Sequence, residues 1–303
     1  PNAVQCLPVL SDRRPRSHVL YPVRAIRRKN LGEAILLSLF LGPDRRVLVT
    51  QPPNSPADKA SYRDWTAWVR RKRLPVDFEA GLEKDFLSLL KGADSVISTS
   101  VAEGFGLAFL EPWIAGRPMW GRRLDAICRD FEARGMRLDF LYDRLDVPTG
   151  WIDAERFARR WHQAVRRAAE GYRHVLSDTN AEKAYRRMTH GGRIDFGMLE
   201  EGFQRQVLTR LTGDRFARRA LIRLNPWLEN PGEIPNASTV IENNRRAAVQ
   251  HYDSGGYRRR LLAIYRRVID HPVRHRIDKK VLLAACFDLD RFSLLQWGAY
   301  AGE

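Results

Sequence analysis

The chain has 303 residues, of which 44% are hydrophobic and 29% charged, and this composition excludes a disordered or collagen-like protein. Its 52 Lys and Arg against 36 Asp and Glu give a net charge of +16. Such a surplus favours anionic partners such as nucleotides, nucleic acid or acidic lipid head groups, unless the charge is spread over solvated surface.

The predicted compartment is the cytoplasm. The three cysteines, Cys6, Cys128 and Cys286, lie far apart, which argues against a disulfide framework or a structural zinc site. No apolar run approaches the roughly 20 residues that a membrane span needs, and the N-terminus lacks a signal-peptide profile. Peripheral contact with an anionic membrane stays open.

Between residue 18 and about residue 125, short apolar strands alternate with helix-length segments, which predicts a parallel sheet with helices on both faces. The predicted strands are 18–23, 46–50, 94–99 and 117–121. Asn30 and Glu33 resemble a capping box that opens a helix over 31–41. Further helices are predicted over 83–93 and over the segment with Tyr62, Trp65, Trp68 and Val69 at helical spacing.

After about residue 152 strand signals nearly vanish and amphipathic helices are predicted. The first has Phe157, Trp161, Val165, Ala168, Tyr172 and Val175 as its apolar positions. Others are predicted over 196–211, 214–224 and 257–269, and Thr239 with Glu242 suggests a capping box for one near 240–252. The predicted domains are therefore residues 1–152, an α/β Rossmann-like domain, and 153–303, a mainly helical extension.

The stretch EGFGLAFLE follows the strand predicted over 94–99 and has seven residues between its two glutamates, Glu103 and Glu111. Ligands of α/β sheets bind outside the carboxyl ends of the strands, where Glu103 lies. Gly104 and Gly106 let the backbone approach a ligand, and a helix predicted to begin here offers N–H groups to phosphate. Eight residues of helix span roughly 12 Å, of the order of a hexose–diphosphate–ribose unit.

Two other interpretations of this stretch stay open. The two carboxylates would suit a glycoside hydrolase, at about 5 to 9.5 Å apart, only if the chain folds back. Glu111 could be a helix-surface residue, and Glu103 could simply favour a helix N-terminus.

A basic cluster, Arg24-Ala-Ile-Arg-Arg-Lys29, follows the first predicted strand and should face the same crevice. An Arg and a Lys there can neutralise the charge that builds on a departing diphosphate. Such a run can also be merely solvated.

Together these segments resemble retaining nucleotide-sugar glycosyltransferases of the group 1 type, which have two facing Rossmann-like domains (the GT-B fold). EGFGLAFLEPWIAGRP is similar to the family's E-x7-E signature, and Arg24 with Lys29 is similar to its R-x4-K pair. The resemblance covers about residues 1–130, with a weaker match near 239–270, where family members send a helix back toward the first domain.

The resemblance implies a role for each matching residue. Arg24 and Lys29 would hold the donor diphosphate and Glu103 the donor sugar, so these three are the predicted catalytic residues. Glu111 would bind ribose. The remaining predicted donor-binding residues are Ser100, Gly104, Phe105, Gly106 and Leu107. No cofactor or metal is implied.

Some features depart from the family. Gln51-Pro52-Pro53-Asn54 replaces a glycine-containing turn, and Pro112 implies a bend or a late helix start. Pro1-Asn2-Ala3-Val4 resembles the junction between the family's two domains, so the acceptor-binding domain is expected to be absent from this chain.

The predicted function is transfer of a sugar from a UDP-, GDP- or ADP-sugar to an acceptor hydroxyl, and this chain would be an incomplete hexosyltransferase. The alternative is a non-catalytic module that binds nucleotide sugars or polyanions. Nucleic acid is disfavoured, because the arginine-rich faces of 157–173 and 214–223 carry no recognised nucleic-acid motif. A metal is disfavoured because Pro272 separates His271 and His275 and no third ligand is evident.

Overall fold

The computed structural model describes Val4 and residues 7–10, 18–272 and 276–298. Cys6, His275 and the Pro1-Asn2-Ala3 start lie outside these residues, as does the side chain of Cys286. Cys128 is a buried free thiol, and burial raises its pKa to about 11, so it is an unreactive core residue.

The strands are β1 (His18–Arg24), β2 (Arg46–Gln51), β3 (Val76–Asp77), β4 (Ala93–Ser98), β5 (Met119–Gly121), β6 (Asp146–Pro148) and β7 (Arg193–Asp195). The helices are α1 (Leu31–Ser38), α2 (Pro56–Lys72), α3 (Ala80–Glu83), α4 (Phe86–Gly92), α5 (Glu111–Ile114), α6 (Asp125–Glu132), α7 (Ala154–Gly171), α8 (Asp178–Met188), α9 (Glu201–Gly213), α10 (Arg215–Leu224), α11 (Ala237–Tyr252), α12 (Ser254–Asp270), α13 (Lys279–Cys286) and α14 (Leu294–Trp297).

The chain divides into two compact units. Unit 1 is Pro1–Asp143 with Asn230–His275, and unit 2 is Arg144–Glu229 with Arg276–Glu303. Compact units are not by themselves independently folding domains, so the domain ranges 1–152 and 153–303 stay a prediction. Among the described residues no helix combines the length and the apolar character needed to cross a bilayer.

Unit 1 contains a five-stranded sheet in the order β3-β2-β1-β4-β5, and all its pairings are parallel. The predicted α/β Rossmann-like fold is confirmed. The apolar residues of β1, Val19, Leu20, Tyr21 and Val23, are buried, as expected for a central strand of a parallel sheet. The chain leaves β1 for β2 on one side and later returns to β4 on the other. The carboxyl ends of β1 and β4 therefore border a crevice at the point where the strand order reverses.

The later part of unit 1 is helical and completes the core around the sheet. Val240 and Ala248 of α11 share one buried cluster with Trp113 of α5. The side chain of Asn244, itself buried, accepts a hydrogen bond from the Arg137 N–H at 2.7 Å and donates one to the Arg137 carbonyl at 2.8 Å. These bonds replace water for a buried amide and fix α11 against the 135–137 turn.

Unit 2 is mainly helical, as predicted for most of this part of the chain. Its core contains Phe157 and Trp161 of α7, and the Trp161 indole donates to the Phe292 carbonyl at 3.0 Å. The antiparallel pair β6–β7 is an exception, because three-residue strands are too short to show alternation.

Several local predictions were wrong. Asn30 precedes α1 as predicted, but it has φ 54° and makes no side-chain cap. Helix α11 begins at Ala237, so Thr239 lies inside it and opens no capping box. The helix predicted over 83–93 is present as α4, and it begins later than predicted because the Asp85 side chain caps it.

The amphipathic helix predicted from residue 157 is α7, and it ends at Gly171. Tyr172 and Val175 lie beyond its end and are 46% and 95% exposed, so they are not core residues.

Candidate functional site

The loops that follow β1 and β4 lie side by side at the crevice. After β1, a turn of 3-10 helix spans Arg27–Lys29. After β4, residues 99–106 form an irregular loop. The N–H of Val101 donates to the Arg28 carbonyl at 2.9 Å, so the backbones of the two loops are joined.

Two cations converge on one carboxylate between these loops. Lys29 Nζ binds Glu103 Oε1, and Arg28 Nη1 binds Glu103 Oε2 at 3.0 Å. Arg28 Nη1 also donates to the Ala102 carbonyl at 2.7 Å. The Glu103 and Lys29 side chains are 8% and 13% exposed, and that of Arg28 is 40% exposed. The cluster has one more positive than negative charge, and its open side is on Arg28.

The surroundings keep Glu103 ionised. Burial alone would raise the pKa of Glu103, but hydrogen bonds from Lys29, Ser100 and Arg28, together with the positive charge of Lys29, outweigh burial and lower it. Burial and the charge of Arg28 lower the pKa of Lys29 by more than Glu103 restores. An anion that entered the cluster would favour the charged form of Lys29.

Buried hydroxyl groups hold the backbone of Lys29 in place. Tyr21 Oη donates to the Lys29 carbonyl, and Thr99 Oγ1 lies 3.1 Å from the Lys29 carbonyl and 3.0 Å from that of Asn30. Tyr21 also accepts from the Thr99 N–H at 3.3 Å. Burial raises the pKa of Tyr21, so its hydroxyl stays a donor. These hydrogen bonds to its carbonyl therefore fix the position of the Lys29 backbone.

A buried ion pair lies beside this loop. Arg122 binds both carboxylate oxygens of Glu33, at 2.9 and 2.6 Å, and Tyr142 Oη donates to the same carboxylate at 2.6 Å. Asn30 Nδ2 donates to Glu33 at 2.8 Å. Three side chains donate to Glu33, so its carboxylate is fully buried with hydrogen-bond partners and does not serve as a helix cap.

The two glycines of the signature have different roles. Gly106 has φ +83°, and a Cβ there would lie 2.8 Å from Ile127 Cγ2, so the fold itself requires glycine. Gly104 is exposed, and a Cβ there would meet nothing within 4 Å. Between them, the Phe105 ring packs edge-on to Phe131 and Tyr252. The Phe105 ring is therefore partly buried against the core, while its backbone belongs to the loop.

Glu111 does not share a helix with Glu103. Helix α5 begins at Glu111, with Pro112 in its first turn, after a short 3-10 turn over Leu107–Phe109. The predicted helix from residue 104 was wrong, and the late start that Pro112 implied was correct. The roughly 12 Å helical span therefore does not apply.

The Glu111 carboxylate differs from that of Glu103 in its surroundings. Burial raises the pKa of Glu111. Among the residues that the structure describes, nothing donates a hydrogen bond to its carboxylate. A half-buried carboxylate without a partner is costly for stability and available to a ligand.

Of the predicted site residues, Lys29, Ser100 and Glu103 come together. Arg24 lies at the end of β1, where its exposed guanidinium donates to Gln51 Oε1 at 2.8 Å and is not part of the cluster. Leu107 is 40% exposed. Arg28 occupies the place expected for Arg24 beside Glu103. The basic run was visible in the sequence, but not which of its arginines turns toward Glu103.

The charges of the site suit an anionic ligand. Its two cations can bind a phosphate through several N–H donors, and its carboxylates can accept from hydroxyl groups. Within the described ranges, no group of three His, Cys, Asp or Glu side chains is placed to hold a metal ion.

Comparisons with known proteins show similarity over part of the length of each protein. No family model matches the sequence. A mannosylglucosyl-3-phosphoglycerate synthase from Petrotoga mobilis is 27% identical over 168 residues, which cover 54% of this chain and 32% of that protein. The chain thus spans about a third of the length of this curated relative.

Solved structures also resemble the chain. A sucrose-phosphate synthase from Thermosynechococcus elongatus gives a TM-score of 0.47 at 16% identity and covers 89% of this chain and 52% of its own. Anabaena HepE, solved with UDP and glucose, gives a TM-score of 0.46 at 14% identity, and the match covers 82% of this chain and 48% of HepE. TarM gives a TM-score of 0.44 at 12% identity, and the match covers 87% of this chain and 38% of TarM.

Proposed function

We propose that this chain carries the nucleotide-sugar-binding half of a retaining glycosyltransferase with the GT-B fold. It would bind a nucleoside-diphosphate hexose and serve transfer of the sugar to an acceptor hydroxyl. The observation that carries the proposal is the convergence of Arg28 and Lys29 on Glu103 where the strand order reverses.

Each part of the donor has a suitable partner. Lys29 and Arg28 meet the diphosphate and stabilise the charge that develops as it leaves, a preorganised electrostatic contribution. Arg24 is exposed at the end of β1, outside the cluster, and serves as an additional cation for the donor. Glu103 and Ser100 accept hydroxyl groups of the sugar.

The rest of the signature binds the remainder of the donor. Gly104 leaves open space for the backbone of this loop to approach the ligand, and Gly106 holds the loop in its left-handed turn. Glu111, which has no protein partner among the described residues, accepts the ribose diol. In this proposal the acceptor hydroxyl attacks from the face that the diphosphate leaves, which gives retention, and no metal takes part.

The relative from Petrotoga mobilis supports sugar transfer as the class of reaction. Its name describes mannosyl and glucosyl units on 3-phosphoglycerate, which makes 3-phosphoglycerate and its glucoside a reasonable first set of acceptors to test. We further propose that the protein works in the cytoplasm, with a peripheral contact to anionic membrane as an open extension.

The proposal is tested by calorimetric titration of UDP-, GDP- and ADP-glucose and GDP-mannose into the chain at moderate salt, which suppresses generic anion binding. One donor should bind saturably. Lys29→Ala should weaken that binding about 10- to 100-fold, since it removes a charge-assisted hydrogen bond. Lys59→Ala, which removes an exposed lysine from α2, is the matched control and should leave binding unchanged.

A second arm addresses the binding-module alternative. If the chain binds heparin or RNA with steep salt dependence but no nucleotide sugar, a polyanion-binding module is the better description. If Lys29→Ala and Lys59→Ala weaken donor binding equally, the cluster at Glu103 is not the donor site.

A further inference from the structure

Glu103 occupies the same donors that a diphosphate would use. Its two oxygens are bound by Lys29 and Arg28, and both oxygens are largely withdrawn from water. A carboxylate and a phosphate compete for such donors because both are acceptors of charge-assisted hydrogen bonds. With Glu103 in place the cluster has a net charge of one, and without it the net charge would be two.

We propose that Glu103 makes the site selective for a nucleotide sugar over a free nucleoside diphosphate by acting as an internal competitor for Lys29 and Arg28. This inference rests on the proposed function. A free diphosphate must displace the carboxylate and leave it buried without its cations, which is costly. A nucleotide sugar brings hydroxyl groups that donate to Glu103 and release the cations for the diphosphate.

The structure allows this exchange with side-chain motion alone. Tyr21 and Thr99 hold the backbone of Lys29, so its ammonium can turn from Glu103 to a phosphate without rearrangement of the loop. The 40% exposed side chain of Arg28 gives the incoming phosphate access.

The same competition acts after transfer of the sugar. Once the sugar has left, its hydroxyl groups no longer occupy Glu103, and the carboxylate returns to Lys29 and Arg28. The nucleoside diphosphate is then held less tightly than the intact donor, which favours product release.

The test compares Glu103→Gln with the unsubstituted chain in titrations of inorganic pyrophosphate, UDP, GDP, ADP and the nucleotide sugar that binds. Loss of one competing charge should tighten pyrophosphate and the matching nucleoside diphosphate about tenfold. The nucleotide sugar should bind no tighter, because Glu103 is its hydroxyl acceptor. The preference for donor over product should therefore collapse.

Two further variants test whether the gain in pyrophosphate affinity comes from the cluster at Glu103. Glu200→Gln removes a carboxylate of unit 2 that binds Arg160 at 2.5 and 2.9 Å, and it should leave pyrophosphate affinity unchanged. Adding Lys29→Ala to Glu103→Gln should abolish the gain. Misfolding of the Glu103→Gln chain would weaken binding, so it cannot imitate the expected tightening.

The outcomes separate this inference from the proposed function. If the unsubstituted chain binds a nucleotide sugar but Glu103→Gln binds pyrophosphate and nucleoside diphosphate no tighter, the selectivity role is overturned and the donor site stands. If no nucleotide sugar binds to the unsubstituted chain, the proposed function fails and this inference fails with it.

Discussion

The two units of the chain both carry many arginines, but they place them in different surroundings. In unit 2 the pair of Arg160 with Glu200 is mostly buried and joins one cation to one carboxylate. Three other arginines of α7 and α8 form ion pairs at the surface, and their side chains are 61–77% exposed. These pairs are Arg166–Asp178, Arg186–Glu182 and Arg187–Asp290. In unit 1, Arg28 and Lys29 share one carboxylate that is 8% exposed.

The comparison shows that burial and convergence mark the site, whereas the number of charges does not. Exposed one-to-one pairs contribute about 0 to 1 kcal/mol each and leave no unmet charge. Two cations on one buried carboxylate leave an excess positive charge, so an anionic ligand gains from it. The net charge of +16 therefore gave no location for the site.

The largest difference between the units should appear when one arginine of an ion pair is removed. Arg122→Met leaves Glu33 buried without its guanidinium partner and should lower the free energy of unfolding by about 3 to 5 kcal/mol. Arg187→Met removes an exposed partner of Asp290 and should cost less than about 1 kcal/mol. Urea unfolding followed by circular dichroism measures both. Equal losses of unfolding free energy in the two variants would mean that burial of the Arg122–Glu33 pair does not raise the cost of removing its arginine.

Replacing a glycine with alanine should change the free energy of unfolding in opposite directions in the two units. Gly106→Ala forces a Cβ onto a residue with φ +83° and to within 2.8 Å of Ile127 Cγ2, so we expect a loss of about 1 to 3 kcal/mol. Gly202 lies in α9, and a Cβ added there would meet nothing within 4 Å. Gly202→Ala should therefore stabilise the chain by about 0.5 to 1 kcal/mol. The same unfolding experiment decides. Stabilisation by Gly106→Ala would show that the loop can relax.

Local sequence patterns predicted the sheet and the two loops of the site, because apolar strands and their order are encoded in neighbouring residues. They failed where the partner is distant in sequence. Glu33 looked like a capping residue, but Arg122, 89 positions away, removes it from that role. Glu103 and Glu111 looked like residues of one helix, whereas the positive φ of Gly106 and the late start of α5 separate them.

The choice between Arg24 and Arg28 could not be made from the sequence for a similar reason. Both follow β1 within one basic run, and the difference depends on the 3-10 turn over Arg27–Lys29, which turns Arg28 toward Ala102. Gln51 of β2 then holds Arg24 on the other side of β1.

The smallest effect we expect concerns two glutamates, one in each unit. Burial raises the pKa of Glu111 and no described residue compensates it, so Glu111→Gln should raise the free energy of unfolding at pH 7 by about 0.5 to 1 kcal/mol. The folded chain binds the Glu111 proton more tightly than the unfolded chain does. The gain should therefore disappear as the pH falls through the raised pKa toward the ordinary value of 4.5.

Glu200→Gln is the matched control for this prediction, because it removes a partner of Arg160 and should destabilise the chain at pH 7. Urea unfolding at pH 7 and pH 4 measures both variants, and titration of the nucleotide sugar measures the cost to function. Glu111→Gln should gain stability and weaken donor binding together, since a carboxylate kept without a protein partner is free to accept the ribose hydroxyls. If Glu111→Gln destabilises the chain at pH 7, the carboxylate has a structural role, and the ribose assignment loses its physical basis.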